Sequence, residues 1–311
     1  MRIVATAQVP PVAREAFAPL GEIQVNGGGR IGRAELLIVR GTPLDAAAIR
    51  AAPCLRAIAR TGAGFDNLDV DAATRAGIPI VFAPAVGSRP IAEGTIALIL
   101  AAAKHLRELG EIARTTAWES RYEVMGLDLE GACAGVIGLG AIGREVASLC
   151  AALGMVVIGH DPAANGPAPA GVERVSLDEL VARADVLTLH CALTDRTRGL
   201  VDADLLSRCK PGAIFVNAAR GAMVQDEDVL ADALSAGRLA AVALDVHPSE
   251  PPRMGHRLYS DPRVISTPHA VGLTERWNRD VFRALAEGVA AVLAGGSPPN
   301  LLNPEALRAG S

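Results

Sequence analysis

The sequence predicts an α/β chain of two parallel-sheet domains, the first discontinuous and the second inserted into it. Three observations predict this. Short apolar runs alternate with helical stretches through most of the 311 residues, the pattern of repeated βαβ units. One such unit places three glycines, Gly138, Gly140 and Gly143, between its first strand and its helix. A smaller strand-and-helix series precedes those glycines, and a tail marked by Pro298-Pro299-Asn300 is expected to return to it. The first domain is drawn as 1–95 with 286–311, and the inserted one as 96–285.

In chain order, strands are expected at 2–6, 23–25, 36–39, 56–59 and 80–81, with helices at 44–51 and 70–76. Gly77-Ile78-Pro79 turns the chain into the last of these strands. The series reads as a small, complete parallel sheet of flavodoxin-like kind. A long helix at 90–114 follows, with proline near its start and many Ala, Leu and Glu. It ends before a polar stretch at 118–128. The second sheet opens at the glycines, with a helix at 144–153 and a strand at 155–158. Further strands are expected at 186–190, 214–217, 241–245 and 264–266, and helices at 177–182, 203–208, 227–236 and 275–293.

Strand, three glycines at G-x-G-x-x-G spacing, helix, strand and then Asp161 make a complete Rossmann-type dinucleotide-binding unit. Gly138 allows the tight turn, Gly140 lets backbone approach a pyrophosphate, and Gly143 lets helix and strand pack closely. Ala141 and Ile142 lie between the glycines, just before the helix, whose free N–H groups and partial positive charge face the phosphates. Asp161 is placed to accept from both ribose hydroxyls. Pro162-Ala163-Ala164 offer no cation for a 2′-phosphate, so NAD is expected over NADP. A lone glycine triplet is more often a turn. Both strands and the acid turn the reading toward a cofactor.

Composition excludes other classes. The net charge is −4 and there is no basic run, which argues against a nucleic-acid surface. The N-terminus lacks the apolar core of a signal peptide, and the apolar run at 96–103 is too short to span a membrane. Cys54, Cys133, Cys150, Cys191 and Cys209 are odd in number and lack C-x-x-C spacing. They read as free thiols of a reducing cytoplasm.

Arg220, Glu250 and His269 each sit just past a predicted strand end of the second sheet. In an open parallel sheet those ends line the ligand crevice, here expected between the two domains. Reduction of a 2-oxo acid needs these three types. Arginine holds the substrate carboxylate and polarises the carbonyl. Histidine gives a proton to the oxygen as hydride arrives, and takes one in reverse. Glutamate orients the imidazole and favours its charged form. Each residue taken alone is more simply a surface charge or a loop residue; their shared setting beside a dinucleotide motif favours the catalytic reading. No histidine has metal-ligand spacing, and hydride transfer needs no metal.

Across nearly its whole length the chain resembles the D-isomer-specific 2-hydroxyacid dehydrogenase family, most closely its D-3-phosphoglycerate dehydrogenase and hydroxypyruvate or glyoxylate reductase branches. The motifs that carry the resemblance are Gly62-Ala63-Gly64-Phe65-Asp66-Asn67, Ala92-Glu93, the glycine motif with His160-Asp161-Pro162, and Lys210-Pro211-Gly212-Ala213. They continue as Asn217-Ala218-Ala219-Arg220-Gly221, Ala243-Leu244-Asp245-Val246, Ser249-Glu250-Pro251 and Thr267-Pro268-His269. The resemblance implies that Arg220, Glu250 and His269 are catalytic, that Asp245 meets the nicotinamide carboxamide, and that Gly62, Ala63 and Gly64 cradle the substrate carboxylate. The alternatives are a loop-capping acid at Asp245 and a plain turn at the glycines. Relatives use the helix at 90–114 in a two-fold interface, so a homodimer is expected. Arg60 before the cradle, with Ser88-Arg89 at the start of the long helix, suits a second anionic group such as a phosphate, which favours phosphohydroxypyruvate or 3-phosphoglycerate as substrate over hydroxypyruvate or glyoxylate. The alternative is that Arg89 faces solvent and Arg60 serves a single carboxylate.

The chain departs from the family at His190-Cys191-Ala192, where His-x-Pro is usual, at Gly87, where an Asn is common, and at Val271. No regulatory domain is expected after Ser311. His105 reads as a solvent-facing helix residue, His256 as a loop residue, and His247 and His160 as flanking functional acids without a chemical need. Trp118 and Trp277 suit interface or hinge packing. The competing functions are a hydroxypyruvate or glyoxylate reductase, a phosphite dehydrogenase and an NAD(H)-sensing corepressor. A formate dehydrogenase is disfavoured, because such enzymes place Gln where this chain has Glu250.

Overall fold

The computed structural model describes residues 1–25, 30–62, 64–83, 86–164 and 166–309. They form two compact units, Met1–Gly87 with Leu273–Ser311, and Ser88–Gly272.

The first unit begins β1 (Ile3–Ala5), α1 (Pro11–Phe17), β2 (Ile23–Val25), β3 (Leu36–Val39), α2 (Ala46–Arg50), β4 (Ala57–Arg60), α3 (Val70–Arg75) and β5 (Ile80–Phe82). Its sheet is parallel, in the order β2-β1-β3-β4-β5, which is the flavodoxin-like order the sequence predicts. Asp45 and Asp69 cap α2 and α3 by accepting from Ala48 N and Ala72 N, each at 2.8 Å. Such caps contribute about 1 kcal/mol each.

The second unit continues with α4 (Ser88–Ala103), α5 (Leu106–Ile112), β6 (Cys133–Ile137), α6 (Ala141–Ala152), β7 (Val156–His160), β8 (Val172–Arg174), α7 (Leu177–Arg183) and β9 (Val186–Leu189). It closes with α8 (Ala203–Arg208), β10 (Ala213–Asn217), α9 (Glu227–Ser235), β11 (Leu239–Leu244), α10 (Arg257–Ser260) and β12 (Val264–Ser266). The parallel sheet runs β12-β11-β10-β9-β6-β7-β8. Two apolar layers cover it. One groups Leu180, Leu205, Phe215 and Leu230; the other groups Leu98, Ile99, Val146 and Val216.

The chain then returns to the first unit as α11 (Glu275–Leu293) and α12 (Ala306–Ala309). Val281, Phe282, Leu285 and Val289 of α11 are buried with Ile3, Phe17, Ile38 and Val81. Full burial of side chains of this size stabilises by about 1.5–3 kcal/mol each. Trp277 packs at the edge of the same core.

The units divide at 87/88 and 272/273, whereas the sequence boundaries at 95/96 and 285/286 fall inside α4 and α11. Each helix keeps its apolar stripe on a single core, so the breaks fall in the connections. The long helix is also interrupted. His105 adopts φ +47°, outside the helix, and separates α4 from α5. Its side chain is largely buried, not solvent-facing. The sequence does not signal β8, because Val172-Glu173-Arg174 is short and mostly exposed. No described helix is long and apolar enough to cross a membrane.

Candidate active site

All strands of the seven-stranded sheet run the same way, so their carboxyl ends share one edge. The chain switches direction of growth between β6 and β9, which places a ligand crevice there in open α/β sheets. The glycine motif follows β6 and Asp161 follows β7. Arg220 follows β10, Asp245 and Glu250 follow β11, and His269 follows β12.

The nucleotide half fits a dinucleotide. Gly138 adopts φ +97°, and a Cβ there would run into the backbone of His190 and Cys191. A Cβ on Gly143 would collide with the Gly138 carbonyl, whereas Gly140 faces open space. Gly140 precedes α6, which has no side-chain cap, so its first N–H groups are available to a phosphate. Ala141 and Ile142 form the first turn of α6. Asp161 also organises this loop: Oδ2 accepts from Leu139 N at 2.8 Å, and Oδ1 from Ala163 N and Ala164 N at 3.0 and 3.1 Å. A carboxylate offers about four acceptor sites, so capacity for a ribose hydroxyl remains. Loop 162–164 has no cation of its own, but Arg174 arrives from β8 and donates to the Gly166 carbonyl at 3.1 Å. At the departure His190-Cys191-Ala192, burial pushes His190 down to about 3 and Cys191 up to about 11. That stretch carries a neutral imidazole and a neutral thiol.

On the other half, buried Asn217 folds the loop that ends in Arg220. Its Nδ2 donates to the Arg220 carbonyl at 2.9 Å and its Oδ1 accepts from Ala219 N at 3.0 Å. The Arg220 guanidinium donates to the Ala219 carbonyl at 2.7 Å. Glu250 Oε2 and His269 Nδ1 lie 3.0 Å apart. Burial alone would raise the Glu250 carboxyl. The hydrogen bond and charge of His269, with the His247 amide, outweigh it and hold Glu250 below its usual range. The Glu250–His269 pair is half-exposed, which leaves a ligand access to it.

His269 adopts φ +56°, a left-handed conformation that costs a non-glycine residue about 1–3 kcal/mol. Its amide donates to the Asp245 carbonyl at 2.7 Å. The Asp245 side chain, 3% exposed, accepts from Thr267 Oγ1 at 2.7 Å, from Ala270 N at 2.8 Å and from Val271 N at 3.2 Å. These contacts cap the loop that carries His269.

Arg60 ends β4 in the first unit and is 7% exposed. Its Nε donates to the Gly64 carbonyl at 2.8 Å, and Nη1 reaches the carbonyls of Val39 and Arg40. Gly62 lies against the same guanidinium. Ala63 lies outside the described residues. Arg60 therefore braces the glycine loop, with much of its donor capacity on main-chain carbonyls. Arg89 pairs with Glu93 at 2.8 Å and Glu145 at 3.3 Å. The cations expected to meet a phosphate are thus engaged by the protein itself.

The fold and this site define a two-unit α/β protein with an NAD-binding sheet and a carboxylate–imidazole pair on its carboxyl edge. Residues 96–271 match the model of the D-isomer specific 2-hydroxyacid dehydrogenase NAD-binding domain. The chain belongs to the D-isomer-specific 2-hydroxyacid dehydrogenase family. It is 40% identical over 272 residues to a D-3-phosphoglycerate dehydrogenase of Archaeoglobus fulgidus, covering 86% of this chain and 51% of that one. It is 37% identical to a glyoxylate reductase of Aeropyrum pernix, covering 85% and 81%. The D-lactate dehydrogenase of Aquifex aeolicus, solved with NAD and lactic acid, superposes with TM-score 0.87 at 26% identity, covering 97% and 99%. The chain spans about half the length of the D-3-phosphoglycerate dehydrogenases it matches.

Proposed function

We propose that the protein is an NAD-dependent dehydrogenase that interconverts a small D-2-hydroxy acid and its 2-oxo acid. The observation that carries this reading is the 3.0 Å contact of Glu250 Oε2 with His269 Nδ1 on the carboxyl edge of an NAD-binding sheet. The bound cofactor supplies or accepts the hydride at the substrate's second carbon. Glu250 holds the ring through Nδ1, which leaves Nε2 to give a proton to the carbonyl oxygen in reduction and to take it back in oxidation. Arg220 binds the substrate carboxylate and polarises the carbonyl. The resemblance to the family adds Gly62, Ala63 and Gly64 as further candidates for substrate binding. Gly138, Gly140, Ala141, Ile142, Gly143 and Asp161 hold the cofactor. NADH oxidation against a panel of 2-oxo acids tests the reading; no turnover with any member refutes it.

The substrate class favoured is a small 2-oxo acid such as hydroxypyruvate or glyoxylate, because Arg60 and Arg89 already have protein partners. The names of several relatives favour a second reading, phosphohydroxypyruvate and 3-phosphoglycerate. Catalytic efficiencies measured side by side separate the two. A two-fold homodimer is part of the proposal. Leu98 and Ile99 of α4 serve their own core, but Leu106, Trp118, Tyr122 and Met125 just beyond it are exposed apolar residues suited to a second copy. A cytoplasmic location agrees with the five free cysteines.

A further inference from the structure

His247 is 5% exposed and touches each of the loops that carry Arg220, Glu250 and His269. Its amide donates to Glu250 Oε1 at 3.3 Å. Ring Nε2 faces the Thr267 carbonyl, two residues before His269, at 3.0 Å, with Ser266 Oγ at 3.4 Å. Its own carbonyl lies against Gly221, directly after Arg220, where any Cβ would collide with it. Ring Nδ1 faces the Tyr259 hydroxyl at 3.1 Å, and the two rings meet edge to face with centroids 5.5 Å apart. The same hydroxyl lies 3.2 Å from Oε1 of Glu227, itself 5% exposed, whose Oε2 pairs with Arg253 at 3.1 Å. His256 meets the Tyr259 ring at 6.2 Å.

A carbonyl only accepts, so Nε2 carries the hydrogen that meets Thr267. Burial, and then the charge of Glu227, push Tyr259 well above its ordinary value, so its hydroxyl stays protonated and donates to Glu227 Oε1. Turning the His247 ring would leave the Thr267 carbonyl without its Nε2 donor.

We infer that His247 is a positioning residue that sets the Glu250 loop in register with the His269 loop, its amide on Glu250 and its Nε2–H on the Thr267 carbonyl. The consequence for catalysis rests on the proposed dehydrogenase reading. The contact geometry does not. A residue whose amide holds Glu250 and whose ring holds the Thr267 carbonyl fixes the distance between Glu250 Oε2 and His269 Nδ1, and so the strength with which the carboxylate favours a protonated ring.

The test is a histidine ¹⁵N NMR titration of the full chain, compared with His247→Phe, His247→Leu, His247→Gln and Glu250→Gln. In the wild type, His247 shows the Nε2–H tautomer. In His247→Phe, the His269 ring takes up its proton at lower pH, by on the order of half a unit, about a threefold change in its proton-binding constant. Glu250→Gln moves it in the same direction. His247→Gln, whose amide can donate to Thr267, leaves His269 near its wild-type titration. In the Glu250→Gln background, His247→Phe adds nothing further. Identical His269 titrations in the wild type and a folded His247→Phe overturn the inference, as does an undiminished His247→Phe effect in the Glu250→Gln background. If His247→Phe does not fold, His247→Leu decides by the same His269 titration. Failure of the wild type to oxidise NADH with any 2-oxo acid refutes the dehydrogenase reading and leaves the titration result standing.

Discussion

The Asp245 carboxylate accepts from the Ala270 amide at 2.8 Å, which pins the residue after His269 to the end of β11. Asp245→Ala leaves this buried donor and its neighbours unpaired, at about 1–3 kcal/mol for each orphaned group. Urea unfolding should show that loss, and turnover should fall with it as the left-handed His269 relaxes. Asp245→Asn, which keeps one acceptor oxygen, should lose less. An unchanged unfolding midpoint in Asp245→Ala contradicts the clamp, and unchanged NADH affinity in that variant removes the nicotinamide contact.

His269→Ala should lower turnover about 10²–10⁴-fold, the usual contribution of a positioned general acid, while NADH binding measured by fluorescence is retained. Arg220→Ala should raise KM for the 2-oxo acid and lower kcat, because it removes both carboxylate binding and carbonyl polarisation. Near-normal kcat in either variant at saturating substrate sinks the assignment.

Glu250→Gln should move the alkaline limb of the reduction profile to lower pH, since the ring loses the negative partner that favours its protonated form. The same pair acts on stability. Glu250 sits below its usual 4.5, so its ionised form stabilises the fold above that value. That contribution disappears as pH falls through the depressed folded value. With its side chain 42% exposed, the stability effect is small, and the rate profile is the sensitive readout. Superimposable profiles for the two proteins rule out the pairing as a functional one.

NADH should be strongly preferred over NADPH, because a 2′-phosphate would meet the Asp161 carboxylate. Arg174 stands near the same loop, so Asp161→Ala should narrow the preference chiefly by admitting NADPH. The variant should also bind NADH less well, because the Leu139, Ala163 and Ala164 amides lose their acceptor. Equal catalytic efficiency of the wild type with both cofactors contradicts the prediction.

Light scattering at micromolar concentration should give twice the chain mass, and Trp118→Glu with Tyr122→Glu should reduce it to one. Arg121 is stacked on both rings, 5.1 Å and 4.1 Å from their centroids. A wild-type monomer refutes the dimer.

The sheets were legible in the sequence because buried parallel strands read as apolar runs, and the glycine motif because its spacing answers a steric demand. Arg220, Glu250 and His269 could be picked out because strand ends share an edge. What stayed hidden arises from pairing distant in sequence. Arg174 reaches the nucleotide loop only because β8 pairs with β7. Tyr259 meets His247 across the loop between β11 and α10, where no periodicity signals it. The break at His105 has no breaker residue to announce it. The apolar residues of α4 look alike on paper, and only packing separates Leu98 and Ile99 from partly exposed Ile96 and Leu100.

The helix that closes the first core, α11, is encoded after the whole of Ser88–Gly272. On the ribosome, β1 to β5 therefore emerge well before Phe282 and Leu285 exist to cover them. At about 5–20 residues per second, synthesis of the intervening unit takes on the order of ten to forty seconds. Through that interval α1 alone covers that face of the nascent sheet and part of it stays bare, a natural target for a holdase chaperone, while the second unit is free to fold first.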